Sequence, residues 1–183
     1  MRAVLFWLRA ARAPFFTGSL APILVGTGAA YVATCGAVQW NLAVLALVSL
    51  TLLHACANLA NDFFDHLSGN DELNITFVSP FTGGSRVIQR GEARPWEVAT
   101  AAFVCLTAAA LIGFYLVYRA GWPILWLGLI GGLTGVFYTA PPFRFAYRGS
   151  GELFIFLDFG LLPVLGAYYL QTGSLDLLAF WAG

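Results

Sequence analysis

The stretch from His54 to Asp71 reads HACANLANDFFDHLSGND. It begins inside an apolar run and ends in a dense group of carboxylates and amides: Asn58, Asn61, Asp62, Asp65 and Asp71. His54, Asn58, Asn61 and Asp65 are spaced 4, 3 and 4 apart. On a helix they share one face, with Asp62 beside it. Gly69 predicts the helix C-terminus, because glycine enters the left-handed region cheaply. Asp71 then folds back near the same helix end. Carboxylates at a helix C-terminus meet an unfavourable dipole, so a positive group should compensate them. Magnesium takes hard oxygen ligands and often bridges one or two carboxylates to phosphates. Asp62 and Asp65 fit that role, with Asn61 or Asn58 as amide oxygens. A proton or ion relay in a transporter is the alternative use of such a face.

The surrounding composition sets the solvent. The chain is 60% hydrophobic and 10% charged over 183 residues, with a mean hydropathy of +0.79. Soluble domains carry about 25% charged residues. Lipid must therefore solvate much of this surface. A net charge of zero argues against a nucleic-acid binder. Cys35, Cys56 and Cys105 sit in or beside apolar runs. An odd number there is neither a disulfide framework nor a CxxC metal site.

The expected fold is all-α, a polytopic transmembrane helix bundle. Apolar runs of crossing length fall at about 15–33, 42–64, 98–118, 122–138 and 153–170, and residues 175–183 look like the start of a sixth span. The N-terminal MRAVLFWLRAARAPFF has no cleavage site closing a clean apolar core, and reads as an interfacial amphipathic helix. All nine basic residues are arginine. Arg2, Arg9, Arg12, Arg86, Arg90, Arg94, Arg144 and Arg148 fall on the side of the N-terminus and the two long polar loops, and Arg119 falls on the other. The positive-inside rule then places the N-terminus and both loops in the cytoplasm.

ANLANDFFDHLSGND, residues 57–71, resembles the first aspartate-rich motif of the UbiA superfamily of intramembrane aromatic prenyltransferases. Asn61, Asp62 and Asp65 match its NDxxD core, and the GxD ending at Asp71 is similar to the 1,4-dihydroxy-2-naphthoate polyprenyltransferase branch. RAPFFTGSLAPILVGTGAAY from Arg12 resembles the family's first span. TGGSRVIQRG from Thr82 sits where the family has a mobile loop. YTAPPFRFAYRGSGEL from Tyr138 and PVLGAYYLQTG from Pro163 resemble the family's region around its fifth span.

The resemblance implies a multi-pass enzyme of the cell inner membrane. It would use Mg²⁺ to move a prenyl chain from a polyprenyl diphosphate to an aromatic acceptor, 1,4-dihydroxy-2-naphthoate in menaquinone biosynthesis. Other UbiA-type acceptors are 4-hydroxybenzoate, homogentisate, a chlorophyllide, haem and a glycerol phosphate lipid. On this reading Asp62, Asp65 and Arg86 are catalytic, and Asp62, Asp65 and Asn61 hold the metal. Asn58, Asn61, Asp71, Arg144, Tyr147 and Arg148 bind substrate. Phe63, Phe64, Tyr115 and Tyr138 are candidates to stabilise an allylic cation. The family has about nine spans and a second aspartate-rich motif. Residues 1–183 are therefore expected to be the N-terminal part of a single transmembrane domain. Asp158, in the middle of the fifth span, departs from the family's apolar pattern and is left without a role.

Overall fold

A computed structural model describes residues 2–73, 76 and 83–183 of the chain. Among these the secondary structure is helical throughout. Helix α1 spans Arg2–Ala10 and is followed by a 3-10 turn at Ala13–Phe16. Helix α2 spans Thr17–Ala33, α3 Trp40–Ser68, α4 Asn70–Leu73, α5 Pro95–Ala120 and α6 Trp122–Phe137. Helix α7, Gly151–Phe156, runs through a π-helical turn at Leu157–Leu161 into α8, Leu162–Thr172, and α9 spans Leu177–Ala182. Four segments are long and apolar enough to cross a bilayer: Ala13–Ala33, Trp40–Ser68, Pro95–Ala120 and Gly151–Thr172. The fifth expected span is α6, a shorter apolar helix of 16 residues. The architecture is the polytopic helical bundle that the apolar runs predict.

Helix α3 sets the frame. At 29 residues it is longer than the hydrocarbon layer, which about 20 residues suffice to cross. The apolar run ends near Phe64, and the helix continues to Ser68, where Gly69 stops it with φ 71°, the end that this glycine predicts. The surplus length carries Asn61, Asp62 and Asp65 out to a polar end.

That end is built from the N-terminal segment and the two polar loops. Arg9 pairs with Glu92, Arg12 with Asp62, and Asn58 Nδ2 donates to the Ala11 carbonyl at 2.9 Å. Gln39, Gln171 and Arg119 gather at the opposite end. There Gln39 N–H donates to Gln171 Oε1 at 2.7 Å and Arg119 Nη2 to Gln39 Oε1 at 3.3 Å. Arg119 thus lies apart from the arginines of the N-terminus and the loops, as their spacing predicts. Helix α1 exposes Val4, Leu5, Trp7 and Leu8 and buries Ala10, the amphipathic split expected of it.

Two long helix pairings form the core: α3 along α5, and α2 along α8. Hydrophobic attraction between helices is weak in lipid, so such pairs rely on close packing of small residues and on hydrogen bonds. Ser49 Oγ, buried in α3, donates to the Ala109 carbonyl of α5 at 3.1 Å. In α2 the buried residues Pro22, Gly26 and Ala30 form one stripe at helical spacing. A Cβ on Gly26 would fall 2.4 Å from the Val164 carbonyl oxygen and 2.8 Å from Ala167 Cβ. The two backbones approach too closely for any side chain there. Gly28, two residues on, has nothing within 4 Å of such a Cβ. Gly26→Leu should therefore lower the thermal midpoint in detergent sharply, with overpacking of about 1–3 kcal/mol or more. Gly28→Ala in the same helix should leave it unchanged, and a light-scattering melt of the two variants checks the contrast.

Candidate active site

The residues singled out from α3 meet partners from three other parts of the chain. Asp62 is 2% exposed, and a buried carboxylate requires paired charge and hydrogen bonds. It has both. Arg12 Nη2 lies 2.5 Å from Asp62 Oδ1. The Ser85 backbone N–H donates to both carboxylate oxygens, at 3.1 and 3.2 Å, and the Ser85 hydroxyl donates to Oδ2. Gly84, with φ 75°, makes this approach possible. A Cβ there would stand 2.6 Å from Asp62 Oδ1 and 3.1 Å from Arg12 Nη2. Of the glycine-rich turn, Gly83, Gly84 and Ser85 are described and Thr82 lies outside the described residues. The turn presents its backbone N–H to Asp62.

Asn61 Oδ1 accepts from the Thr139 hydroxyl at 2.7 Å, and Asp65 Oδ1 accepts from the Tyr147 hydroxyl. These two bonds tie the loop between α6 and α7 to the last turns of α3. Burial, and then the hydrogen bond to Asp65, raise the Tyr147 phenol well above its ordinary range. Tyr138 at the start of the same loop is also raised, by burial first and then by Glu152. Both phenols therefore stay protonated at neutral pH, and Tyr147 acts as a donor to Asp65.

Asp71 returns to the cluster on the short helix α4 and is 2% exposed. Neither of its carboxylate oxygens has a hydrogen-bond partner among the described residues. Burial pushes its pKa up from 3.8 to about 6. Asp65 and Asp62 add to the rise, while Arg86 and Arg12 oppose it. Arg86 Nη1 donates to the Asp71 carbonyl at 2.8 Å and Nε to the Gly83 carbonyl at 3.0 Å. A second unsatisfied atom lies in the same cluster: Arg12 Nε is buried with no acceptor among the described residues, although its Nη2 pairs with Asp62.

The remaining expected residues are spread more widely. Arg144 stands near Tyr147. Arg148 Nη2 donates to the Pro142 carbonyl at 3.2 Å and so braces its own loop. Phe63 and Phe64 pack against the buried cluster around Cys56, Leu59 and Val98. Tyr115 hydrogen-bonds Arg119 at the opposite end of the bundle, which removes it from any role beside the carboxylates. Spacing alone could not separate these aromatics, because a helical aromatic reads the same on either face. Arg12 is the residue that sequence reasoning missed. It was read as a membrane-surface arginine, and its only distinguishing signal is the Arg-x-Pro entry into α2.

Below the polar cluster lies a cavity of about 420 Å³ between α2, α3, α5, α6 and α8. Arg12, Asn58, Asn61 and Tyr138 line its polar mouth, and Ile23, Leu116, Ile124 and Leu170 its far part. His54 lines it part-way down, held by Ser19 Oγ at 3.0 Å from Nδ1 and by the ring of Phe159 at 4.5 Å between centroids. His54 is a satisfied interior residue in the wall.

Among the described residues, no three histidine, cysteine or acidic side chains already converge as an ion cage. Magnesium does not require one. It keeps several waters and commonly uses one or two carboxylates together with substrate phosphates. The unpartnered Asp71 oxygens, with Asp65 and Asp62 close enough to repel them, fit a hard divalent cation.

The sequence pattern of the UbiA prenyltransferase family matches residues 19–183. The chain is 33% identical over 177 residues to a 1,4-dihydroxy-2-naphthoate octaprenyltransferase of Mycobacterium tuberculosis, covering 97% of this chain and 56% of that protein. It is 33% identical over 171 residues to a 2-carboxy-1,4-naphthoquinone phytyltransferase of Synechocystis, covering 92% and 52%. It is 30% identical over 162 residues to the human UbiA prenyltransferase domain-containing protein 1, covering 87% and 45%. The chain spans about half the length of the curated relatives it matches. A match running through the α3 motif and almost the whole chain, on a multi-pass helical bundle, means that this chain belongs to the UbiA prenyltransferase family.

Proposed function

We propose that this protein transfers a prenyl chain from a polyprenyl diphosphate to an aromatic acceptor, 1,4-dihydroxy-2-naphthoate, in menaquinone biosynthesis. The observation that carries the reading is a pair of unsatisfied groups in the polar cluster above an apolar cavity that Arg12 lines. Among the described residues, the Asp71 carboxylate lacks a donor and Arg12 Nε lacks an acceptor. A divalent cation together with a diphosphate supplies both. The printed names of the relatives support the acceptor class.

Asp65 and Asp71 would hold Mg²⁺, with Asp62 and Asn61 beside them. When bound, the ion supplies positive charge that stabilises a departing diphosphate. The chain's own residues do the rest. Arg12 and Arg86 offer charged hydrogen bonds to diphosphate oxygens. Tyr147 and Thr139 hold Asp65 and Asn61 in place. The apolar part of the cavity takes the prenyl tail and keeps water from the electron-poor allylic carbon. Tyr138 and Phe159 present aromatic faces along that path, each able to stabilise a nearby cation by about 0.5–2 kcal/mol. The arginine distribution supports a polar mouth on the cytoplasmic side, in the inner membrane where the resemblance puts such an enzyme.

In membranes carrying this protein, pyrophosphate release should require Mg²⁺, a polyprenyl diphosphate and the naphthoate, and should collapse in Asp65→Ala. Absence of release with every phenolic acceptor offered would defeat the enzymatic reading. Transport coupled to Asp62 without pyrophosphate release would replace it with the ion-relay alternative.

Asp71 generates a pH signature. Its folded pKa is raised, so the folded chain without the cation binds a proton that the unfolded chain has lost between pH 3.8 and about 6. Stability in EDTA should therefore fall as pH rises through that window. Added Mg²⁺ should restore it above pH 6, and Asp71→Asn should flatten both effects. Thermal melts from pH 4 to 8 measure this.

The cavity's depth generates another. Gly113 and Gly128 line it, and a Cβ at either position meets nothing within 4 Å. Gly128→Leu should leave the melting temperature unchanged and shift donor preference to shorter prenyl chains. Competition between diphosphates of different length reads this out.

A further inference from the structure

Asp158 is a carboxyl group in the wall of the membrane-embedded cavity, and nothing in the diphosphate site uses it. Oδ1 accepts from the Thr134 hydroxyl of α6 at 2.7 Å, and this is the hydrogen bond its carboxyl group makes. Among the described residues the second oxygen has no hydrogen bond of its own, and it is not among the sealed, unsatisfied atoms of the interior. Asp158 lines the cavity. A carboxyl group among apolar helices carries a large desolvation cost, and a bundle retains it where it has a polar partner or a function.

The backbone is arranged around this group. Pro163 has no N–H, so the Phe159 carbonyl loses its ordinary helical partner. The helix responds with the π turn at Leu157–Leu161, where Leu162 N–H reaches back to the Leu157 carbonyl. The inserted residue re-aims this stretch of the helix, and such turns recur at functional sites. Across from it lies Gly131 of α6, where a Cβ would make ordinary contact with Asp158 Oδ1 at 3.8 Å. Phe159, the next residue, packs on His54. Asp158 therefore lies near the level of His54, seven residues below Asn61 on α3. At 1.5 Å per residue that is about 10 Å beneath the polar mouth.

We propose that Asp158, braced by Thr134, is a hydroxyl-binding subsite that holds the aromatic acceptor from below. This rests on the acceptor being a hydroxylated aromatic that enters this cavity. A ring lying between the two levels directs one hydroxyl to the second Asp158 oxygen and its opposite edge toward the mouth, where the prenyl carbon is released. The position makes Asp158 a specificity-determining residue that distinguishes a free aromatic hydroxyl from a blocked one. An acceptor lacking that hydroxyl leaves the carboxyl group unsatisfied, which is the strong form of discrimination by a polar site.

The test is binding, independent of turnover. The protein in lipid nanodiscs is dialysed against 1-naphthol or 1-methoxynaphthalene, with empty nanodiscs subtracting partition into lipid. Wild type should bind the naphthol about tenfold more tightly, the worth of one hydrogen bond to a carboxyl group. Asp158→Leu should reduce that ratio to about one, and Asp158→Asn, which keeps a carbonyl oxygen, should retain most of it. Thr134→Val, which leaves the carboxyl group unbraced, should give an intermediate ratio. A ratio of one in wild type, or a ratio unchanged in Asp158→Leu, overturns the assignment. Mg²⁺-dependent pyrophosphate binding on the same nanodiscs reports separately on the diphosphate site. It should be the same in Asp158→Leu as in wild type and be lost in Asp65→Ala. Its loss in Asp158→Leu would show a structural role and also overturn the assignment.

Discussion

The burial of the Asp62 carboxylate organises the polar end of this molecule. A charge that is 2% exposed demands compensation from every side, and here the compensation comes from distant parts of the chain. Arg12 arrives from the N-terminal segment, 50 residues away in sequence, and Ser85 from the loop after α4. Satisfying one carboxylate thereby holds α1, α3 and the 83–94 loop together. Gly84 is part of the same constraint, because any side chain there would occupy the space of the Asp62 oxygen.

Around that centre the site divides by chemistry. Asp62 is saturated by protein groups. Asp65 and Asn61 are each held by one hydroxyl from the 138–150 loop. Asp71 is buried and has no donor among the described residues. The carboxylates thus differ in how fully protein groups satisfy them. Directly beneath, the wall of the cavity becomes apolar, and the polar groups that interrupt it are individually placed. Ser19 bonds Nδ1 of His54, and Thr134 bonds Oδ1 of Asp158. The result is a charged cluster above an apolar bore whose wall carries a few polar groups.

Much of this was legible before any coordinates. The apolar runs located the five spans to within a few residues, because lipid requires long uninterrupted helices whose backbone bonds are internal. The segregation of Arg119 from the other arginines anticipated which loops share an end. Gly69 marked the end of α3. The π turn was not legible, since it arises from the single missing N–H of Pro163 within a run that otherwise reads as one helix.

Residue type and spacing by themselves determined the class of protein, which loops share an end of the bundle, and the existence of an aspartate-rich helix end. These are local or compositional properties, and one chain segment suffices to state them. The tertiary structure decided how the carboxylates differ from one another, that Arg12 belongs among them, that Tyr115 does not, and that Asp158 faces a cavity. Each of these depends on which groups from remote segments come within hydrogen-bond distance. A carboxylate's chemistry is set by its partners, and spacing along one helix does not specify partners supplied by others.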